Sequence, residues 1–346
     1  MRLKDCTLAA EILGTNVFIS VNTRLGGTDS GILGTMRLAL GRLGPLIATA
    51  VVIVAALVPG ATAWADPAAP WAAAQIDFGG LPRSYELHVP AGVDHPSGLV
   101  VNLHAAGATG RDQAALSHYD AIADAHGFIV VYPDGIDLSW ADGRGASVPD
   151  RQGVDDVGFI SALVDHLVAE YHVDRGRVFA TGLSAGGFMA NRLACDRPDL
   201  FAAIAPVAGT LGVNVGCSPS RPVSVLATYG TADPIVPFDG GIMTGRGGTS
   251  DILSAPALID RWRQVNGCPD AAAQDELPAS GDGTGTQRTT YAPCAQGTAV
   301  VFMRVDGGGH TWPGAPEILS AQAVGPATHG FDASEQSWQF FDSHAR

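Results

Sequence analysis

The chain is 346 residues long, 46% hydrophobic and 16% charged, with a formal net charge of −14. So acidic a balance repels nucleic acid and anionic lipid, which excludes a nucleic-acid-binding role, and it favours a neutral substrate. The first 65 residues read as separate from the folded body. Met36, Arg37 and Arg42 supply a short positive region, Leu46 to Val58 an apolar stretch, Pro59-Gly60 a break, and Ala63-Trp64-Ala65 a small-x-small cleavage site. That is the pattern of a secretory signal peptide over residues 36–65. The apolar run is shorter than the ~20 residues a spanning helix needs, so no stable membrane anchor is expected. A signal peptide stands at a terminus, which makes residues 1–35 a doubtful extension upstream of it. Residues 66–346 are then one domain with 15 basic against 31 acidic residues, a net of −16, and are long enough for an ample core.

Within that domain, Tyr85 to Val89 and Leu99 to Leu103 are short β-rich runs bounded by Pro and Gly, and both read as strands. A helix is predicted over Gln113 to Ala125, then a buried strand from Phe128 to Tyr132. Val157 to Tyr171 carries Ile160, Leu163, Val164 and Leu167 at helical spacing, with Asp155 or Asp156 placed to cap it. The remaining predicted elements are a strand at Arg177 to Thr181, a helix at Phe188 to Cys195, strands at Ala203 to Val207 and Val223 to Tyr229, a helix at Ala257 to Asn266, a strand at Ala299 to Val305 and a closing helix at Ser334 to Phe341. Strands alternating with helices imply a mostly parallel sheet covered on both faces. Asp239 to Ser250 and Ala271 to Thr286 are Gly-rich or Ala/Gly/Asp-rich and read as surface loops, too poor in apolar residues for a large lid. An active site open from above follows, and no internal repeat is evident.

Gly182-Leu183-Ser184-Ala185-Gly186 lies between a predicted strand and a predicted helix. That setting is how an α/β-hydrolase raises a nucleophilic serine above its sheet, with glycines where a Cβ would collide with the neighbouring strand and helix. A serine hydroxyl needs a base, and the base needs a third group to fix its tautomer. In this fold the chain order is serine, acid, histidine. Asp233 follows the strand ending at Tyr229, and His310 follows the strand ending at Val305, so both stand at the strand ends where catalytic groups gather. Asp239, Asp251 and Asp260 compete for the acid, and His329 and His344 for the base, each in a poorer position relative to a strand end.

The oxyanion of an acyl-transfer intermediate needs donors, for which the backbone N–H groups of Ala185 and Ala105 are the candidates. His104 beside Ala105 is a candidate substrate contact, and equally a ring that braces the loop. Trp140 and Trp312 are candidates for an apolar wall around the substrate, or for core. The cysteines past the leader, Cys195, Cys217, Cys268 and Cys294, form an even set, as in exported chains, and nearest-neighbour bridges are expected. None sits in a C-x-x-C pair, so zinc is not expected; no metal ligand set and no cofactor is assigned.

With these residues in place, the chain resembles the polyhydroxybutyrate depolymerase family of secreted α/β-hydrolases, which includes feruloyl-esterase-like members. The likeness runs from about Phe78 to the C-terminal helix. It rests on Gly182 to Ala190, on Arg197-Pro198-Asp199-Leu200-Phe201-Ala202-Ala203, on Gly230 to Pro237 (GTADPIVP) and on Gly309-His310-Thr311-Trp312-Pro313-Gly314. The resemblance implies a serine esterase with Ser184, Asp233 and His310 as its triad. The family usually has His-Gly in the oxyanion segment where this chain has His104-Ala105, which bears on rate and specificity. The expected activity is hydrolysis of carboxylic esters through an acyl-enzyme, on hydroxyalkanoate oligomers or polymer, with feruloyl or acetyl esters of plant polysaccharide as the alternative. A serine peptidase and a non-catalytic binding protein on the same fold are the remaining readings.

Overall fold

The structure is a computed structural model, and it describes residues 3–13, 16–25, 34–40, 71–317 and 320–346. Two compact units divide between Pro67 and Ala68. The first unit contains strands β1 (Leu3–Leu13), β2 (Asn16–Leu25) and β3 (Gly34–Leu40), paired antiparallel in that order. These strands fall mostly in the segment read above as a doubtful extension. The apolar stretch and the cleavage site of the predicted signal peptide lie outside the described residues.

The second unit is built on a ten-stranded sheet. In chain order its elements are β4 (Trp71–Phe78), β5 (Leu81–His88), β6 (Leu99–Leu103), α1 (Gly110–Ser117), α2 (Tyr119–His126), β7 (Ile129–Pro133), α3 (Val148–Gln152), α4 (Asp156–Tyr171), β8 (Val178–Leu183), α5 (Ala185–Asp196), β9 (Ala203–Val207) and β10 (Ser224–Gly230). There follow β11 (Gly241–Gly245), β12 (Gly248–Ile252), α6 (Ala255–Val265), β13 (Ala273–Glu276), β14 (Gly285–Tyr291), β15 (Val300–Asp306), α7 (Ala321–Val324) and α8 (Ala333–Ser343). The strand order is β13-β14-β15-β10-β9-β8-β6-β7-β5-β4. The six central strands from β15 to β7 run parallel, and each edge is finished by two antiparallel strands. This is an α/β-hydrolase architecture, a mostly parallel sheet between helical layers.

Strand alternation explains why both faces are apolar. Leu99, Val101 and Leu103 of β6 join Val178, Ile204 and Val225 in a core roofed by Phe159, Leu163, Met189, Leu193, Leu258 and Trp262 of α4, α5 and α6. Val100 points the other way and meets Phe179, Ala205 and Leu226 under Ala123, Trp338 and Phe341 of α2 and α8. Strands buried on both faces need continuous apolar runs, and the central strands have them.

Several expectations are corrected. The single helix predicted over Gln113 to Ala125 is two helices, broken at His118, which takes a left-handed conformation with φ 50°. At the break the Ser117 carbonyl accepts from Ser334 Oγ at 2.7 Å, so α8 holds a carbonyl that a continuous helix would use in its own ladder. Asp155 caps α4 through Gly158 N–H, whereas Asp156 is buried and paired with Arg83 at 2.6 Å. The two segments read as loops contain strands. Asp239 to Ser250 supplies most of the β11–β12 hairpin, and Ala271 to Thr286 supplies β13 and the start of β14. Their side chains are largely exposed, so no apolar alternation marked them, and backbone pairing alone defines them. Strand β4, on the far edge, was likewise not foreseen.

The bridges Cys195–Cys217 and Cys268–Cys294 are formed, in the nearest-neighbour pattern. The second ties the segment after α6 to the turn before β15, closing a loop of 26 residues. Replacing Cys268 and Cys294 together by Ser should lower unfolding free energy by about 3 kcal/mol, as read from urea titrations; an unchanged midpoint would mean the loop is already constrained without the bridge.

Candidate active site

The parallel register aligns the C-terminal ends of the central strands, and this alignment assembles the site. Leu103 of β6 pairs with Gly182 of β8, Leu183 of β8 with Val207 of β9, and Gly230 of β10 with Val305 of β15. Ala105, Ser184, Asp233 and His310 each lie within a few residues of those ends and so share one edge of the sheet.

Ser184 stands alone between β8 and α5 with φ 57° and ψ −117°, a backbone conformation costly for a residue with a Cβ. Its amide donates to Val207 O and its carbonyl accepts from Phe188 N–H, both at 2.9 Å, so the turn is pinned on each side. The flanking glycines are a steric requirement. A Cβ on Gly182 would stand 2.5 Å from Leu103 O, and one on Gly186 would stand 2.0 Å from the same atom. Ser184 is half-buried and its side chain faces a cleft.

His310 Nδ1 donates to Asp233 Oδ2 at 2.7 Å, and both side chains are more than nine-tenths buried. The other carboxylate oxygen accepts from the amides of Ile235 and Val236, each at 2.8 Å. With both oxygens occupied, the carboxylate is fixed in orientation and fixes the imidazole, leaving Nε2 as its available nitrogen. Three of the competing residues are elsewhere engaged: Asp260 pairs with Arg263, His329 approaches Asp282, and His344 bonds Phe340 O.

Among the described residues, neither the Ala105 nor the Ala185 amide donates to a protein acceptor. Ala185 is the first residue of α5, where the amide and the helix dipole both favour developing negative charge. His104 and Trp140, entertained above as substrate contacts, are corrected: both are fully buried, beneath the loop that carries Ala105. His104 Nδ1 donates to Ala105 O at 2.8 Å, its Nε2 accepts from Gly135 N–H at 2.9 Å, and Trp140 Nε1 donates to the His104 carbonyl at 2.9 Å. Both ring nitrogens are therefore committed in the neutral form, and burial pulls the imidazole below its ordinary value of 6.5.

Two clefts meet at this edge and share Ala105, Leu183, His310 and Val324. The larger, of 500 Å³, is mostly apolar and includes Leu116, Trp312 and Ala315. The smaller, of 230 Å³, contains Ser184 and Ala185 and is walled by Phe188, Met243, Arg144 and Arg246. Trp312 thus lines a cleft, with its Nε1 donating to Ser334 Oγ at 3.1 Å. Apart from Phe188, which follows the serine on α5, these wall residues had no signal in the sequence, because Met243 and Arg246 come from the β11–β12 hairpin and Arg144 from the loop after β7, neither of which carries a motif. The hairpin also revises the site from open above to walled on one side.

Comparison with known proteins bears on the family and the fold. Residues 83–246 match the model of the family described as Esterase PHB depolymerase. The chain is 33% identical over 283 residues to NocK of Nocardia uniformis subsp. tsuyamanensis, a protein named for esterase activity, covering 78% of this chain and 81% of that protein. It is 32% identical over 268 residues to feruloyl esterase C of Emericella nidulans, covering 75% of this chain and 83% of the relative. Among solved structures, an acetyl xylan esterase from Aspergillus awamori superposes with a TM-score of 0.52 at 20% identity, covering 79% of this chain and 99% of that one, a likeness that bears on the fold alone.

The neutral His104 has a consequence for stability. Because its folded value is depressed, the unfolded chain binds the proton more readily. The contribution is complete above pH 6.5 and is lost as pH falls toward the depressed value. Denaturant titrations between about pH 7.5 and 5 should show stability falling with acid, and falling less in His104→Gln; equal slopes for the two proteins would reject the assignment.

Proposed function

The chain belongs to the PHB depolymerase family of esterases, and from that membership and the geometry around Ser184 we propose that it is a serine carboxylesterase working through an acyl-enzyme. Ser184 Oγ attacks the ester carbonyl carbon while His310 Nε2 takes its proton. Asp233 holds the imidazole in the required tautomer and stabilises the imidazolium that forms. The N–H groups of Ala105 and Ala185 donate to the oxyanion, and each such donor contributes about 10²–10³ in kcat. His310 then protonates the departing alcohol, and water, activated by the same ring, releases the acid. The observation that carries the reading is the Asp233–His310 hydrogen bond of 2.7 Å, with His310 and Ser184 lining one cleft.

The apolar 500 Å³ cleft suits a bulky, uncharged part of the ester. Hydroxyalkanoate oligomers fit that description and match the family's name. Feruloyl or acetyl esters of plant polysaccharide are the second reading, the feruloyl case favoured by the names of the relatives at 31–32% identity. Export is proposed on two grounds: a paired set of disulfides, which persist in oxidising compartments, and the signal-like pattern at residues 36–65.

Ser184→Ala should reduce p-nitrophenyl butyrate turnover to background and abolish labelling by a fluorophosphonate probe, with an unchanged far-ultraviolet spectrum. Asp233→Asn should lower kcat by about 10⁴. Turnover that survives Ser184→Ala would refute the mechanism. A panel of oligo-hydroxybutyrate, feruloyl and acetyl esters ranks the substrate classes.

A further inference from the structure

The two clefts beside His310 differ in the charge that lines them. Among the described residues, the carboxylates Asp112 and Glu317 line the larger cleft, whereas the guanidinium groups of Arg144 and Arg246 line the Ser184 cleft. Each arginine has a carboxylate partner that lies outside the cleft wall. Asp142 takes Nε and Nη2 of Arg144 at 2.9 and 2.7 Å, and Asp137 takes both Nη groups of Arg246, through its backbone carbonyl and through its carboxylate at 3.0 and 3.5 Å. Both arginines nonetheless line the cleft that holds Ser184.

Arg144 is unusual for a cation. Its side chain is 9% exposed and lies with Cζ 3.6 Å from the centre of the Phe188 ring. Its Nη1 finds only the Met243 sulfur at 3.4 Å and Ser250 Oγ at 3.5 Å. A thioether is a weak acceptor and 3.5 Å is a long hydrogen bond, so Nη1 is held more weakly than Nε and Nη2, on a residue that lines the cleft. Arg246 stands at the tip of the hairpin, with its stem against the loop that carries Ala105: a Cβ built on Gly107 would lie 3.6 Å from Arg246 Cδ.

We propose that the Ser184 cleft binds a carboxylate carried by the ester substrate, held by Arg144 and Arg246. This deepens the esterase reading by naming the substrate class, esters of which one part is a free acid. It also modifies the expectation of a neutral substrate drawn from overall charge, because a chain of net −14 needs a local cationic site to hold an anion. The carboxylate comes from the acyl part or the alcohol part of the ester, and two substrate pairs separate these sources.

Binding to the Ser184→Ala protein, measured by calorimetry, gives the test without turnover. The first pair is monoethyl succinate and ethyl succinamate, with the acid on the acyl side. The second is 3-(butyryloxy)butyrate and its primary amide, with the acid on the alcohol side. In one pair the acid should bind at least about tenfold tighter than its amide, and the ratio should collapse toward one when Arg246→Gln is added. Arg144→Lys, which keeps a charge beside buried Asp142 where Met would leave it unpaired, should reduce the ratio by losing the planar fork. Equal affinities for acid and amide in both pairs, or a preference that survives both arginine substitutions, would overturn the proposal. Turnover of p-nitrophenyl butyrate by the unmodified protein reports on the esterase reading separately.

Discussion

A single strained residue sets the geometry of this protein. Ser184 occupies φ 57° and ψ −117°, a conformation that costs of order 1–3 kcal/mol and persists only where its surroundings over-determine it. They do so from behind as well as from the flanks. Asn191 of α5 donates to the carbonyls of Gly187 and Gly209 at 3.0 Å each, Trp262 of α6 donates to Asn191 Oδ1 at 2.9 Å, and the Tyr229 hydroxyl of β10 donates to Gly209 O at 2.8 Å. Three elements far apart in the chain thus fix the segment facing the serine turn. Being buried and satisfied, these polar groups rigidify the turn rather than weaken it.

A second braced segment supports the first. The loop after β6 carries Ala105, and its conformation is fixed from below by His104, Gly135 and Trp140. That layer is in turn anchored by Asp156, which accepts from Ala141 N–H at 2.8 Å while paired with Arg83, whose guanidinium lies 3.8 Å from the centre of the Phe159 ring. A buried ion pair adds little net stability, because desolvation offsets its Coulomb gain. Its value here is positional: a carboxylate with partners on β5 and on the loop after β7 links the sheet edge to the support of the proposed oxyanion donors.

The walls of the site follow a different logic from its chemistry. The reacting groups stand on strand ends, whose positions are dictated by parallel register, whereas the Ser184 cleft is closed by the β11–β12 hairpin, an excursion between β10 and α6 with mostly exposed side chains. Its buried Met243 and Ile252 pack with Val236 and with Phe188 of α5, while most of its other side chains are open to solvent. The charges of the Ser184 cleft come from outside the strand ends, Arg246 from this hairpin and Arg144 from the loop after β7, and loops are where discrimination between substrates is most readily altered.

What the sequence determined by itself is what depends on local chemistry. Gly182 and Gly186 around Ser184 declare a close approach of strand and helix, and continuous apolar runs at Leu99 to Leu103 and Ala203 to Val207 declare strands buried on both faces. The order Ser184, Asp233, His310 declares which loops meet, because parallel strands all deliver their C-terminal ends to one edge. The tertiary structure decided whatever depends on partners distant in sequence. His118 breaks a helix that periodicity would have continued, because α8 takes the Ser117 carbonyl. Asp156 is an ion-pair member rather than a cap, and His104 and Trp140 are supports rather than substrate contacts, because burial is a property of the assembled layers. Arg246 reaches the Ser184 cleft through a hairpin held by backbone hydrogen bonds and Arg144 through the loop after β7, and backbone placement leaves no trace in the identity of exposed side chains.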